Sequence, residues 1–329
     1  MGTGLIFTKH EKIRPVPIFI RKLAAGALFV ALVSTAALLL ARRAPGDYTD
    51  TLRAARVSSD TIERERRRLY LDRSLPDLSL IWLSGLARLD LGTSYRFDRP
   101  VRSLLVERAP RTFALVGAAL VLAFAAGIVW GTSLARGPRL IRAPLSALAS
   151  LSLAMPSIVV LFALLLVATR TGWLGAGDQS IVIPLLGIAA LVVPAAAALA
   201  RMHAQALDEA LVQPWAIASA ARGVPQRQLV WKRGMRVAAT RVASIAPLVA
   251  ANVIGASLLV EVVTGWAGLG RLTLDALVAR DVFLVAGCTA TVSAAVALLA
   301  ILSDAVVVLL DPRIAAHEIQ PGMISGGAR

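Results

Sequence analysis

Side chains able to do chemistry are sparse in this sequence, and their spacing does not suit catalysis. His10, His203 and His317 are far apart and belong to no H-E-x-x-H pair, the arrangement that holds zinc beside a general base. The lysines are Lys9, Lys12, Lys22 and Lys232, and none follows the glycine loop that cradles nucleotide phosphates. A single cysteine, Cys288, excludes an intrachain disulfide and a cysteine metal site, and reads as a small apolar packing residue. Asp304 is the one acid close to the interior of an apolar run. Acids there are costly and often functional, but its place near the end of the run favours a structural, interfacial or interhelical role. No cofactor, metal site or catalytic constellation is expected, and the chain does not read as an enzyme.

One polar stretch is regular enough to matter: "ASAARGVPQRQLVWKRG", residues 218–234. Ile217, Ala221, Val224, Leu229 and Val230 interleave with Arg222, Arg227, Lys232 and Arg233. Positions 217, 220, 221 and 224 fall on one helical stripe. Gly223 permits a tight turn or a close approach, and Pro225 can open a new helix. Two short helices joined at 223–225 are therefore expected. Such a unit can lie on anionic lipid or dock into a groove on a partner protein, and its own residues do not choose between these.

The elements that carry this unit are membrane spans. The chain has 329 residues, 57% of them hydrophobic and only 17% charged, where a soluble domain carries about 25% charged. Residues 23–41, 112–134, 143–169, 180–200, 242–260 and 282–303 are uncharged runs. Each is long enough to cross the hydrocarbon core as a helix, which takes roughly 20 residues. Lipid cannot satisfy open backbone groups, so helices are the reading, and the fold class is an all-α polytopic membrane protein of six spans. The first run is longer than a signal-peptide core and five more follow, so it reads as retained. Gly and Pro recur in the runs, at Gly117, Gly127, Pro156, Pro184, Gly187, Pro194, Pro247 and Gly255, as suits a close-packed bundle with bends.

Arginine and lysine collect before the first span, between the second and third, and between the fourth and fifth, which places both termini in the cytoplasm. The organisation expected is a cytoplasmic N-terminus (1–22), a first span (23–41), an extracytoplasmic segment (42–111), a core of five spans (112–310) with a cytoplasmic loop at 203–240, and a cytoplasmic tail (311–329). The formal charge of +15 follows partly from this topology. No basic face is interleaved with aromatics, so nucleic acid is not a partner; membrane lipid is.

Several ordered motifs resemble one family, the permeases of binding-protein-dependent ABC importers for dipeptides, oligopeptides and nickel. "WAIASAARGVPQRQLVWKRGMR" resembles their cytoplasmic coupling loop, with Gly223 as its central glycine. "ARRAPGD" resembles a P-G-D signature, and "LARLDLGTSYRFDRPVRSLLVERAPRTFAL" a G-D-L-G-x-S segment leading through L-P-x-T into the second span. "SLAMPSIVV", "VEVVTGWAGLGRLTLDALVARD" and "SDAVVVLLDPRI" resemble the entry to the third span, the segment after the fifth, and the C-terminal D-P-R ending. The sequence departs at Ile217 and Ser219, which stand in the E-A-A part of the general loop motif. It departs also at Arg233, where His is frequent, at Arg241, where Pro is frequent, and at 265–267, where an aromatic-x-Trp-Pro pattern is usual.

The resemblance implies a bacterial inner-membrane permease subunit forming half of a translocation path. It would pair with a second permease, two ATP-binding subunits and an extracytoplasmic solute-binding protein, with ATP hydrolysed in the separate subunits. Peptides are the implied cargo, with nickel chelates, opines or oligosaccharides as alternatives. A stand-alone secondary transporter fits less well, since inverted repeats and mid-membrane charges are not visible. The residues implied for ATPase coupling are Ala218, Ala221, Arg222, Gly223, Val224 and Gln228. Those implied for the path or outer gate are Glu261, Trp266, Gly268 and Gly270.

Overall fold

The computed structural model describes residues 16–44, 58–70, 72–173 and 182–310. The P-G-D segment at 45–47, the D-P-R ending at 311–313, His10 and His317 lie outside them. Among the described residues all secondary structure is helical apart from one isolated bridge between Thr93 and Pro100. The helices are α1 (Val16–Arg43), α2 (Ser59–Arg68), α3 (Leu75–Ala87), α4 (Val101–Arg136), α5 (Arg139–Ala154), α6 (Ser157–Arg170), α7 (Val182–Leu211), α8 (Pro214–Ala221), α9 (Gln226–Thr264), α10 (Leu269–Val278) and α11 (Val282–Leu310).

Five of them, α1, α4, α7, α9 and α11, are long and apolar enough to span a bilayer. The run at 143–169, expected as one span with Pro156 among the residues that suit bends, is α5 and α6 meeting at 107°, and the pair makes a sixth span only if counted together. The bend sits at Met155, whose φ of −93° and ψ of 120° are extended. Proline at 156 disfavours α geometry in the residue before it, and Pro156 then starts α6.

All five long helices run past their uncharged stretches: α4 already begins at Val101, within the segment expected at 42–111, and α7 and α9 extend toward each other. α7 continues to Leu211 and α9 starts at Gln226, so the connection expected at 203–240 narrows to 212–225. Charges that end a run in the sequence do not end the helix, because they pair between helices: Arg241 with Glu209 at 2.8 Å and Arg136 with Asp208 at 2.9 Å. His203, expected outside the spans, is therefore buried on α7, 3.1 Å from Thr132 Oγ1.

α7 is the centre of the bundle and packs on α4, α5, α6 and α9. Its contact with α4 is made by small residues four apart: Ala119, Ala123, Gly127, Gly131 and Ala135 are all buried. A Cβ on Gly131 would lie 2.5 Å from the Ala200 carbonyl oxygen, and one on Gly127 would lie 2.6 Å from Leu199 Cβ. Backbone cannot yield as a flexible side chain does, so Gly131→Val is expected to cost about 1–3 kcal/mol by overpacking. Gly117 faces open space on the same helix, and Gly117→Ala should be nearly neutral. Melting of the purified chain in detergent checks the contrast.

Three apolar clusters follow one another along the bundle. Leu38, Trp82, Tyr95, Leu104 and Leu284 fill the end that carries α2, α3 and α10, here termed the cap end. Leu161, Leu191, Leu199 and Ile254 fill the middle. Leu207, Val230 and Ala238 fill the opposite end, beneath α8.

Candidate functional site

The polar stretch forms an elbow at the end opposite the cap. Pro214 sits in the first turn of α8, where a missing N–H costs nothing. After Ala221 the chain reverses: the Gly223 N–H donates to the Ala220 carbonyl and the Val224 N–H to the Ser219 carbonyl. Gly223 has φ +79°, a left-handed conformation natural to glycine. Pro225 then caps α9, whose second turn, Leu229–Gly234, is π-helical. Gly234 makes room there, since a Cβ would come within 2.9 Å of Leu207 on α7. π segments inside α-helices are found frequently at functional sites.

Ser219 is the pin of the elbow. It has no exposed surface, its hydroxyl donates to the Trp215 carbonyl, and it accepts from the guanidinium groups of Arg233 at 2.8 Å and Arg222 at 3.2 Å. The two arms are thereby tied across the turn. Ala216, Leu229 and Val230 face inward, whereas Ile217 is 61% exposed and Ala218, Ala220, Ala221, Arg222 and Gly223 are exposed with it. Val224 is half-buried, and Gln228 is exposed at the start of α9. The stripe read from the sequence thus points away from the protein.

A second constellation lies at the cap end, where Glu261, Gly268 and Gly270 come together with a residue the sequence did not single out, Thr112 on α4. Glu261 is wholly buried. Its Oε1 accepts from Thr112 Oγ1 and its Oε2 from the Gly270 N–H, both at 2.6 Å. Thr112 Oγ1 in turn accepts from the Leu269 N–H at 2.7 Å. A hydroxyl and a carboxyl group from two long helices therefore cap α10, satisfying N–H groups that a helix start leaves open. A Cβ on Gly268 would fall 2.6 Å from both Glu261 oxygens, and one on Gly270 would fall 2.6 Å from the Leu258 backbone. The two glycines are needed for this closeness. Trp266 is half-buried beside the cap, donating through Nε1 to the Arg111 carbonyl at 3.2 Å. Glu261 lines no open space; its oxygens are occupied by the cap.

Asp281, at the start of α11, was likewise unassigned in the sequence. It is wholly buried, accepting from Ser94 Oγ at 2.6 Å, the Arg96 N–H at 3.2 Å and the Leu284 N–H at 3.1 Å. Burial pushes its carboxyl above the usual carboxylate range, against the pull of these hydrogen bonds. The G-D-L-G-x-S segment, through Ser94, and the last residue of the segment after the fifth span, Asp281, are thus two halves of one clasp. Asp304 pairs with Lys22 of α1 at 2.6 Å, both side chains partly exposed.

Between α6, α7 and α9 a cavity of about 580 Å³ is lined by Met155, Pro156, Leu191, Pro194, Asn252 and Gly255 among others. Asn252, Gly255 and Leu259, which line it, form with Leu248 an exposed stripe along α9. Among the described residues no three His, Cys, Asp or Glu side chains converge on a metal-sized space.

The described residues thus form a helical bundle with an exposed basic elbow at one end and a capped hairpin at the other. Residues 109–316 match the sequence model of the family described as the binding-protein-dependent transport system inner membrane component. The chain belongs to this family. It is the permease subunit of an ABC importer, a multi-pass membrane protein of a system that includes ATPase and solute-binding partners. The permease is 30% identical to a protein of Brucella suis named as a peptide permease, over 84% of this chain and 92% of that one. It is 26% identical to a peptide transport system permease of Brucella abortus, over 90% and 98%. It is 28% identical to the oligopeptide transport system permease OppB of Mycobacterium bovis, over 80% and 87%.

Proposed function

We propose that this permease carries peptides across a bacterial inner membrane and takes its drive through the elbow at 214–234, which docks into a groove on an ATPase subunit. The observation that carries the reading is the outward stripe of Ile217, Ala218 and Ala221 beside the left-handed Gly223. An apolar helical stripe ringed by arginine suits a groove on a folded partner. Arg222, Val224 and Gln228 border the same contact. Peptide as cargo is supported by the names of the relatives.

In this reading two permeases face each other over two ATPase subunits, which hydrolyse the ATP. The α9 stripe of Leu248, Asn252, Gly255 and Leu259 forms one wall of the path, a face that is open in the single chain. Glu261, Gly268 and Gly270 act at the outer gate by clamping α10 to α4 and α9, so that tilting of the long helices is passed to the outer hairpin; Trp266 braces it on α4. The cap end with residues 42–111 faces outward, and residues 1–22, the elbow and the tail at 311–329 face the cytoplasm. Asp304 and Lys22 hold α1 to α11.

Cysteine chemistry tests the placement. In a Cys288→Ser background, Ser84→Cys should react with an impermeant thiol reagent added from outside, and Ala218→Cys only from inside; both positions are exposed. Ile217→Cys should cross-link to the ATPase subunit in the assembled complex, with a yield that changes when ATP is added. Labelling of positions 84 and 218 from one side, or no cross-link from 217, would contradict the reading.

A further inference from the structure

Helix α3 is poorly suited to an aqueous segment. Asp72 and Arg73 precede it and Arg88 and Asp90 follow it, but its own 13 residues carry one charged side chain, Asp77. Ser74, at the N-cap, accepts from the Asp77 N–H and donates to its carboxylate at 2.7 Å. An apolar helix of this length is too short to span a bilayer and belongs in a core or at a membrane interface. It has three faces. Leu78 and Trp82 are buried toward α1. Ile81, Ser84 and Gly85 line a cavity of about 440 Å³ together with Arg68, Arg88 and Asp90. Pro76, Leu80, Leu83 and Ala87 fall on the third face and are all exposed, Leu80 by 66%.

The docking of α3 on α1 sets its depth. Trp82 Nε1 donates to Ser34 Oγ at 3.0 Å. Ser34 stands eight residues before Arg42, the first charge at that end of the span, which is about 12 Å along the helix. Leu38, between them, is buried in one cluster with Leu78 and Trp82. The stretch of α1 that α3 covers is therefore a stretch that lies among acyl chains. Single exposed leucines are ordinary in water, but a stripe of them at this depth meets lipid. Where α1 and α3 meet, a groove of about 340 Å³ is lined by Leu39, Leu40, Leu75, Pro76 and Ser79, and by one charged side chain, the exposed Arg43.

We propose that α3 is sunk in the outer leaflet, with its stripe of Pro76, Leu80, Leu83 and Ala87 against acyl chains, and that the α1–α3 groove seats a phospholipid whose phosphate meets Arg43. That the leaflet is the outer one rests on the functional reading above. Interfacial helices bury their apolar face about 5–10 Å into the boundary between headgroups and chains. A guanidinium at the end of an apolar groove matches a phosphate followed by a chain. Every diacyl phospholipid carries both, so the seat does not require an anionic headgroup.

The test uses the complete transporter with bimane at Leu80→Cys or Ser84→Cys in the Cys288→Ser background, attached in detergent before reconstitution into nanodiscs. The Cys288→Ser parent supplies the signal of the other subunits. At position 80, phosphatidylcholine brominated on its chains should lower the fluorescence at least twofold while aqueous iodide has little effect; at position 84 the order should reverse. In native mass spectra, Arg43→Glu should reduce the adduct of one phospholipid per copy of this chain at least fivefold. Co-purification of the ATPase subunits reports that each variant assembles. Iodide quenching at position 80 would overturn the immersion of α3. So would quenching there by neither agent, which would assign the stripe to a protein partner. Unchanged phospholipid retention in Arg43→Glu would overturn the seat. Nanodiscs have no sides, so these outcomes are independent of orientation, which the sided labelling of Ser84→Cys tests separately.

Discussion

Replacing Gly223 with aspartate is expected to abolish ATP-driven uptake while leaving the chain inserted in the membrane. The substitution separates two reasons for glycine at this position. Gly223 has φ +79°, which excludes β-branched side chains, but aspartate is among the residues that visit this region. No atom lies within 4 Å of a Cβ there, so the single chain has room for the side chain. The elbow should therefore keep its shape, with Ser219 still tying its arms. What changes is the proposed contact, where docking would strip water from a new carboxylate. An unpaired charge in a dry interface costs several kcal/mol, and about 3 kcal/mol is already more than a hundredfold in binding. The ATPase subunit should be lost on co-purification with Gly223→Asp. Gly223→Val should be worse, since it breaks the turn as well. Normal assembly and uptake with Gly223→Asp would reduce the elbow to a surface helix.

Removing the Glu261 carboxylate should have the largest effect on stability. Glu261→Ala leaves the Gly270 N–H and the Thr112 hydroxyl without their acceptor in a buried site. Each unsatisfied group costs about 1–3 kcal/mol, so a total of roughly 2–6 kcal/mol is expected. The loss should be local, because α10 is held mainly by this cap and by its packing on α4, α9 and α11. Glu261→Gln keeps one acceptor but turns an amide N–H₂ toward a donor, and should cost less than Ala. Gly268→Ala should resemble Glu261→Ala, because its Cβ would displace the carboxylate. Hydrogen exchange of residues 269–278 checks all three: faster exchange in the order Gln, then Ala, is predicted. Unchanged exchange in Glu261→Ala would show that the cap does not hold the helix.

What could be read from the sequence was local. Long uncharged runs located every span, since a helix is the answer to an apolar run in lipid. The elbow was legible because glycine followed by Val-Pro punctuates an amphipathic pattern. That Pro156 would break its helix by 107° was not, because an uncharged run conceals the change of direction, and other prolines, Pro194 and Pro247, remain inside helices. The ends of α7 and α9 were missed because Arg241 and Arg136 are neutralised by acids on neighbouring helices. The cap and the clasp were out of reach for the same reason. Thr112 is 149 residues from Glu261, and Ser94 is 187 from Asp281. The motifs that carry these residues supported a resemblance without giving the physical cause, which is that each motif supplies one half of a buried hydrogen-bonded pair.

Uptake of a labelled peptide into vesicles holding the complete transporter tests the central claim most directly. The account predicts uptake that requires ATP, the ATPase subunits and the loaded binding protein together, and that disappears in Gly223→Asp. Uptake by this chain alone, driven by an ion gradient without ATPase partners, would contradict it.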